Sequence, residues 1–499
     1  MNQRASHGWT LKAVEKGIIF KKVNKNRSQN TKLSGNLPSL SFLGGAGTVT
    51  GSKYLIRGNG SQILLDAGLF QGLKELRLRN RRQPPFDPER INAVVLSHAH
   101  IDHSGYLPVL VKNHFRGKIY CTSGTADLLS IMLPDSAYLQ EEEAAAANRH
   151  GYSKHHPALP LYTVEDVETA LKQVRHYPYG KLFEVRPGIK ALFRRAGHIL
   201  GAATVELQIG RDEPVVLVFS GDLGRWGRPI LHDPDFVTEA DILLVESTYG
   251  NRIHPTDAVD QLARIVHEGV KRGGALIIPA FAVGRTQELI WTIRQLEDAG
   301  KIPSLPVYID SPMAINAAEI YCRHPEDHDL DMQKLMDEKQ CPLCCKQYHL
   351  ARTPEESKAL NHISGPFIII SASGMATGGR VLHHLKWRLP DPRTTVLLVG
   401  YQAAGTRGRS LQDGAKTLRM HGQDVPVKAK IEWLDGLSAH ADQNEILKWL
   451  SEFKNPPKQT YIVHGESTAA EELAKTIRIR FGWNTQAAID GETVSLSKL

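Results

Sequence analysis

The residues best suited to chemistry in this 499-residue chain stand together at His98-Ala99-His100-Ile101-Asp102-His103, directly behind the apolar run Ile91 to Leu96. Neutral imidazole and carboxylate are the nitrogen and oxygen ligands that zinc prefers, and this cluster supplies more of them than one mononuclear site needs. A tight turn aims His98 and His100 at one metal and leaves Asp102 and His103 to reach a second beside it. A solvated polar turn explains any one of these residues but not the group at this spacing.

Three more segments carry ligand-type side chains. His198 sits in Arg195-Ala-Gly-His-Ile-Leu-Gly201, Asp222 in Ser220-Gly-Asp-Leu-Gly224, and His464 in Ile462-Val-His-Gly-Glu466. Asp222 and His464 follow the β-type runs Val215 to Phe219 and Tyr461 to Val463, and Asp66 ends Ile63-Leu-Leu-Asp-Ala-Gly68. Open α/β sheets bind ligands at the carboxyl ends of their strands, where loops converge. Singly, an Asp before Gly is ordinary turn chemistry. Together these residues describe one dinuclear metal site gathered from several strand ends.

The elements that must position them are legible as β-rich runs between glycine turns: Ser39 to Leu43, Lys53 to Ile56, Gln62 to Leu65, Ala93 to Leu96 and Lys118 to Cys121. Helical patterns intervene at Thr125 to Met132 and Asp135 to Arg149, and strands continue through Val185, Ala191, Val205, Val215 and Ile242. The mixture predicts an α/β sandwich with two sheets inside and helices outside. Past Tyr249 the rhythm lengthens. Ala275 to Pro279 leads through Val283-Gly-Arg285 into a helix over 286–296, and Phe367 to Ser371 leads through Gly374 and Gly378-Gly379-Arg380 into a helix from Val381 to Trp387. Strand, glycine turn and helix is the pattern of a parallel sheet, and it offers backbone N–H groups to an anion. A purely structural turn is the alternative, and neither loop is a P-loop. If His464 joins the site of Asp222, the block at 249–430 is an insertion, and a cleft with metals at its floor lies between the two units.

Composition places the chain among ordinary globular proteins, with 41% hydrophobic and 23% charged residues. No apolar run approaches the ~18 residues of a membrane helix, and no secretory leader is expected, so a cytoplasmic protein is predicted. Residues 1–35 hold eight Lys/Arg against Glu15 alone, so this tail carries +7 of the chain's net +8. It is expected to be disordered, either as a dispensable leader or as a polyanion-binding arm. Any nucleic-acid surface of the nearly neutral remainder is a local patch. Cys341-Pro-Leu-Cys344-Cys345, with His349 nearby, lacks the second CxxC of a zinc knuckle. A reduced loop is predicted, with a small accessory metal site as the alternative.

These residues resemble the metallo-β-lactamase fold and, within it, the β-CASP nucleases, over roughly 39–495. Asp66 matches the first motif, His98, His100, Asp102 and His103 the second, His198 the third and Asp222 the fourth. Glu246 in Glu-Ser-Thr-Tyr-Gly250, His440 in Leu437-Ser-Ala-His-Ala-Asp442 and His464 match the β-CASP motifs, and a histidine at the last position goes with RNA-type members. The opening Phe42-Leu-Gly-Gly-Ala-Gly-Thr-Val-Thr-Gly-Ser52 and Leu69-Phe-Gln-Gly72 look most like short bacterial relatives of the polyadenylation endonuclease.

The resemblance implies a metallo-β-lactamase αββα sandwich over 39–248 and 431–499, a parallel α/β β-CASP domain over 249–430, and a basic extension over 1–38. It also implies two zinc ions: one held by His98, His100 and His198, the other by Asp102, His103 and His464, with Asp222 bridging. Asp66 would orient a ligand imidazole or the nucleophilic water. A hydroxide bridging the metals would attack an RNA phosphodiester, His440 would protonate the leaving 3′-oxygen, and Glu246 would hold His440. Arg285, Ser373, Gly374 and Arg380 are the expected contacts to the RNA backbone. Endonuclease and 5′-to-3′ exonuclease action both remain open, as does a homodimer. The competing readings are a small-molecule hydrolase, a DNA nuclease and a non-catalytic scaffold. The first needs no inserted domain, and the last would have lost ligands.

Overall fold

The computed structural model describes residues 38–151, 153–403 and 405–496, so the basic tail lies outside the described residues, Pro38 apart. Short runs of Leu, Ile, Tyr and Phe make the strands Ser39–Phe42, Tyr54–Gly58 and Ser61–Leu65, which pair antiparallel. The same sheet continues in parallel through Ala93–Val95, Lys118–Cys121 and Val174–His176. Each of these parallel steps is bridged by helices, the crossover that parallel pairing requires.

A second sheet faces the first. Phe183–Arg186, Ile189–Arg195, Ala203–Ile209 and Val215–Phe219 run antiparallel, and Ile242–Glu246, Gln459–Val463 and Thr485–Ala487 add in parallel. Between the sheets Phe42, Tyr54, Phe193, Val205 and Phe219 are wholly buried. At ~1.5–3 kcal/mol for each such side chain, this layer is the main reason the sheets stay together. Helices Gln443–Leu450 and Ser467–Phe481 cover the outer face of the second sheet through Trp449 and Leu473. Helices Leu107–Lys112 and Ser123–His150 lie in the core layer with Leu64, Val94 and Ile119, residues of the first sheet. The expected αββα sandwich is the fold that forms.

Ile242–Glu246 and Gln459–Val463 are hydrogen-bonded neighbours, with Glu246 opposite Val463. The intervening chain is therefore an insertion that leaves its parent sheet unbroken. It builds a third, wholly parallel sheet in the order Gln347–Leu350, Pro306–Ile309, Phe367–Ser371, Ala275–Pro279, Thr395–Val399, Lys430–Leu434. Its last strand straddles the boundary expected at 430. The returning chain then completes the parent domain, and Thr493–Ser495 pairs with Ser39–Phe42.

Two local expectations are corrected. The stretches 125–132 and 135–149 form one helix, Ser123–His150, with Pro134 inside it. Proline removes one ladder bond, but Leu128, Leu129, Leu133 and Ala137 on both sides of it are wholly buried and keep the helix continuous. The loop at 341–345 is not reduced. Cys341 and Cys344 are disulfide-bonded with Cα atoms 5.5 Å apart, a span such a bridge accommodates. His349 stacks on Tyr308 and Cys345 is buried and free, so no thiolate cluster forms there. Among the described residues no helix is long and apolar enough to cross a membrane.

Candidate metal centre

The carboxyl ends of both central sheets meet at one place. Asp66 follows Ser61–Leu65, His98 lies just beyond Ala93–Val95, and His198 sits in the loop between Ile189–Arg195 and Ala203–Ile209. Asp222 follows Val215–Phe219, Glu246 ends Ile242–Glu246 and His464 follows Gln459–Val463. Asp102 and His103 ride on the short helix Ile101–Ser104. Asp66 and His464 adopt left-handed backbone conformations, with φ of 58° and 46°, a cost that functional sites accept to aim a side chain. Gly68 is required by close approach, because a Cβ there would collide with the Asp102 carbonyl.

The candidate ligands fall into two groups. His98 Nε2 and His100 Nδ1 are 3.1 Å apart, and His198 Nε2 is 3.3 Å from His100 Nδ1. In the second group His103 Nε2 and His464 Nε2 are 3.0 Å apart, and Asp102 Oδ2 lies 3.6 Å from His464 Nε2. Tetrahedral ligands ~2.05 Å from zinc are themselves about 3.3 Å apart, so each group has the spacing of a coordination shell. Asp222 divides between them. Its Oδ2 is 3.4 Å from His98 Nε2 and 3.6 Å from His198 Nε2, while its Oδ1 is 3.2 Å from both His103 Nε2 and His464 Nδ1.

The donor chemistry fits a metal. Asp222 Oδ1 is buried and accepts no hydrogen bond despite two imidazole nitrogens nearby, which is how lone pairs look when a cation belongs between them. Burial, then neighbouring imidazoles, pull His98 and His198 well below the usual histidine range, and burial takes His100 down to about 4. Burial alone would raise Asp102 and Asp222, but the His464 imidazole beside Asp102 and the His103 and His464 imidazoles around Asp222 outweigh it and hold both carboxylates low. Neutral imidazole at His98, His100 and His198 beside ionised carboxylate is the state in which these groups coordinate, whereas at His103 burial is outweighed by Asp222 and Asp66, which raise it well above the usual range.

Partners behind the ligands fix their aim. Asp66, wholly buried, accepts from Ser97 N at 2.7 Å and Ser97 Oγ at 2.8 Å, and its Oδ2 lies 2.7 Å from His103 Nδ1. That contact turns His103 Nε2 toward the metal position, a task such carboxylates commonly perform. Glu246 accepts from Leu223 N at 2.7 Å and Thr248 N at 3.1 Å, and its Oε1 stands 3.1 Å from His440 Nδ1. Burial would depress His440, but Glu246 and then Asp222 carry its pKa up to about 9. His254 Nε2 braces the His440 carbonyl at 3.1 Å.

The four residues expected on an RNA track do not share one environment. Arg285 begins the helix Arg285–Asp298 beside the cleft, with Nη1 2.7 Å from Glu288 Oε2. Ser373 Oγ bonds Thr377, and Gly374 packs so closely on Phe281 that a Cβ would lie 3.1 Å from it. Arg380 is tied down: Nη1 bonds Asp310 Oδ1 at 2.8 Å and the Ala351 carbonyl at 2.9 Å, and Nη2 the Arg352 carbonyl at 2.8 Å. Two arginines that sequence reasoning passed over are Arg225 and Arg228; Arg225 is itself tied down, with Nε 3.1 Å from Glu445 Oε2 and Nη1 bonding the Gly436 carbonyl at 2.7 Å. Arg228 pairs with Glu288, and with His198 and Gly284 it lines a crevice between the two domains. Burial, then the fields of Arg225 and Arg285, bring Arg228 down to about 9. The one signal that could have found them is their position directly after Asp222-Leu-Gly224.

Comparison with known proteins agrees with this geometry. The metallo-beta-lactamase superfamily model matches residues 46–234, the Beta-Casp domain residues 286–411, and the Zn-dependent metallo-hydrolase RNA specificity domain residues 424–488. The ribonuclease TTHA0252 of Thermus thermophilus is 36% identical over 453 residues, covering 90% of this chain and 98% of the relative. The transcription termination factor FttA of Methanocaldococcus jannaschii is 31% identical over 467 residues, 91% of this chain and 71% of that protein. A solved structure of a protein of unknown function from Enterococcus faecalis shares the fold, with TM-score 0.54 at 14% identity over 92% of this chain and all of that one. An unbroken parent sandwich, a six-stranded parallel insertion and a histidine–aspartate cluster fit for metal between them thus coincide with three successive family matches, and the chain belongs to the metallo-β-lactamase superfamily, in the branch that carries a β-CASP domain.

Proposed function

We propose that this protein is a cytoplasmic, zinc-dependent ribonuclease that holds two zinc ions and hydrolyses RNA phosphodiester bonds. The observation that carries the reading is Asp222, whose two oxygens face two separate ligand groups at 3.2–3.6 Å. A single ion would leave one group idle. The ribonuclease name of the Thermus relative and the RNA specificity match over 424–488 support RNA as the substrate. When bound, the metals would supply an acidified water near neutral pH and neutralise charge on the phosphate.

The chain's own residues do the rest. His98, His100 and His198 would hold one ion, Asp102, His103 and His464 the other, and Asp222 both. Asp66 keeps His103 in the tautomer with Nε2 free for coordination. Glu246 binds His440 Nδ1, which leaves Nε2 to deliver a proton to the departing 3′-oxygen, and the downstream product keeps a 5′-phosphate. Arg228 and Arg285, paired with Glu288 at the crevice, would meet the phosphodiester backbone there, with Ser373 and Gly374 farther along the inserted domain. Arg380 acts through Asp310 to position that loop.

The test is metal analysis joined to digestion of one RNA labelled separately at either end, with and without a 5′-triphosphate. About two zinc ions per chain are expected. Internal products from both substrates mark endonuclease action, and products that need an accessible 5′ end mark exonuclease action. A fully active, metal-free preparation refutes the reading.

A further inference from the structure

The stretch ending in Ser52-Lys53 and the turn Leu69-Phe-Gln-Gly72 supply none of the metal ligands, yet they enclose a second cavity. It measures about 140 Å3, and its walls include Leu43, Phe70, Phe86 and Tyr106 together with Lys53 and Arg79. Lys53 is 5% exposed. Its Nζ donates to the Gly68 carbonyl and stands 4.6 Å from the Phe70 ring centre and 4.8 Å from that of Tyr106.

Lys53 has no carboxylate of its own among the described residues. Asp490 is the carboxylate whose field reaches it, and both Asp490 oxygens are taken by Arg79 Nη2 at 2.9 and 3.0 Å. Burial, followed by the Arg79 charge, draws the Lys53 pKa down to about 7. An ammonium carries three donors, and a buried charge persists in proteins when it is paired as well as hydrogen-bonded. One carbonyl and two ring faces meet only part of that demand. An anion in the cavity would supply the pairing that these contacts leave incomplete. The cavity is close to the ~150 Å3 void that admits benzene and well short of the ~300 Å3 at which drug-sized sites begin. It therefore has room inside for a single ring, not for a whole nucleotide.

We propose that this cavity is a binding site for a small organic anion, a carboxylate or phosphate on a ring-sized apolar body, whose charge pairs with Lys53 while Leu43, Phe86 and Tyr106 enclose the ring. The site is distinct from the metal centre but adjoins it through backbone. Ser52 N donates to the Asp102 carbonyl at 2.9 Å, and Ala67 N to the His103 carbonyl at 2.7 Å. The proposal does not depend on the substrate of the metal centre.

Benzoate, phenyl phosphate and neutral benzyl alcohol are titrated into the full-length zinc-loaded protein, with binding read by ligand-observed NMR. At least one anion should bind at least ~10-fold more tightly than benzyl alcohol, and which anion does so separates a carboxylate site from a phosphate site. Lys53→Met should abolish that preference while circular dichroism and zinc content stay unchanged. Should Lys53→Met fail to fold, Phe86→Trp, which crowds the cavity and leaves the charge, should weaken all three ligands together. Zinc itself binds carboxylate and phosphate, so the titration is repeated on metal-stripped protein, where the preference should survive. Equal affinity for anion and alcohol, a preference that persists without Lys53, indifference to Phe86→Trp, or a preference that vanishes with the metal would each overturn the proposal.

Discussion

Replacing His440 with alanine separates proton donation from metal binding. His440 Nδ1 stands 3.1 Å from Glu246 Oε1 and 3.9 Å from Asp222 Oδ2, so the ring could in principle serve the metal instead. Removing it need not collapse the site, because Glu246 keeps its bonds from Leu223 N and Thr248 N at 2.7 and 3.1 Å. A donor to a leaving alkoxide is worth ~10²–10⁴ in rate, which is about 2.7–5.4 kcal/mol of barrier. We expect His440→Ala to retain about two zinc ions per chain and to lose that factor in kcat on a short labelled RNA. Bis(p-nitrophenyl) phosphate, whose aryl oxide leaves without protonation, should lose less than ~10-fold. Zinc lost together with activity would make His440 a ligand. Equal losses on the two substrates would mean that it positions the phosphate and donates no proton.

Asp66→Asn should weaken metal affinity ~10–100-fold in a chelator competition, because the amide no longer holds His103 as a carboxylate does; an unchanged affinity would leave Asp66 only a packing role. His98→Ala should lose at least one metal by elemental analysis. Arg228→Ala should flatten the salt dependence of RNA binding by ~0.7 log unit per lost phosphate contact, and an unchanged slope with normal affinity would place the RNA track elsewhere. Asp310→Asn removes the acceptor shared by His384 at 2.5 Å, Ser357 at 2.6 Å and Arg380 at 2.8 Å, and should cost ~3–5 kcal/mol in urea unfolding. Burial alone would raise the Asp310 carboxyl, but the bonds from His384, Ser357 and Arg380 outweigh it and lower its pKa. Its contribution is therefore full above the unfolded value and lost as pH falls through the folded one, so the gap between wild type and variant should close in acid.

The candidate ligands are legible because metal chemistry restricts residue type and strand ends restrict position. His98 to His103 crowd one turn, while Asp66, Asp222 and His464 each close an apolar run, and these local patterns survive folding unchanged. The alternation of short strands with glycine turns likewise carried the sandwich, and strand–glycine–helix units carried the parallel insertion. Other features depended on partners distant in sequence. The register that sets Glu246 opposite Val463 comes from pairing across the whole inserted domain. Pro134 stays within a helix because tertiary burial on both sides outweighs one lost bond. Arg380, readable as a phosphate ligand from its glycine loop, bonds the buried Asp310 carboxylate on another strand's end, whereas Arg228, unremarkable in sequence, lines the crevice beside His198 and pairs there with Glu288. Arginines with different partners look alike in sequence. Only the fold decides which charges lie within reach of each other, because Coulomb and hydrogen-bond energies depend on separation in space and not along the chain.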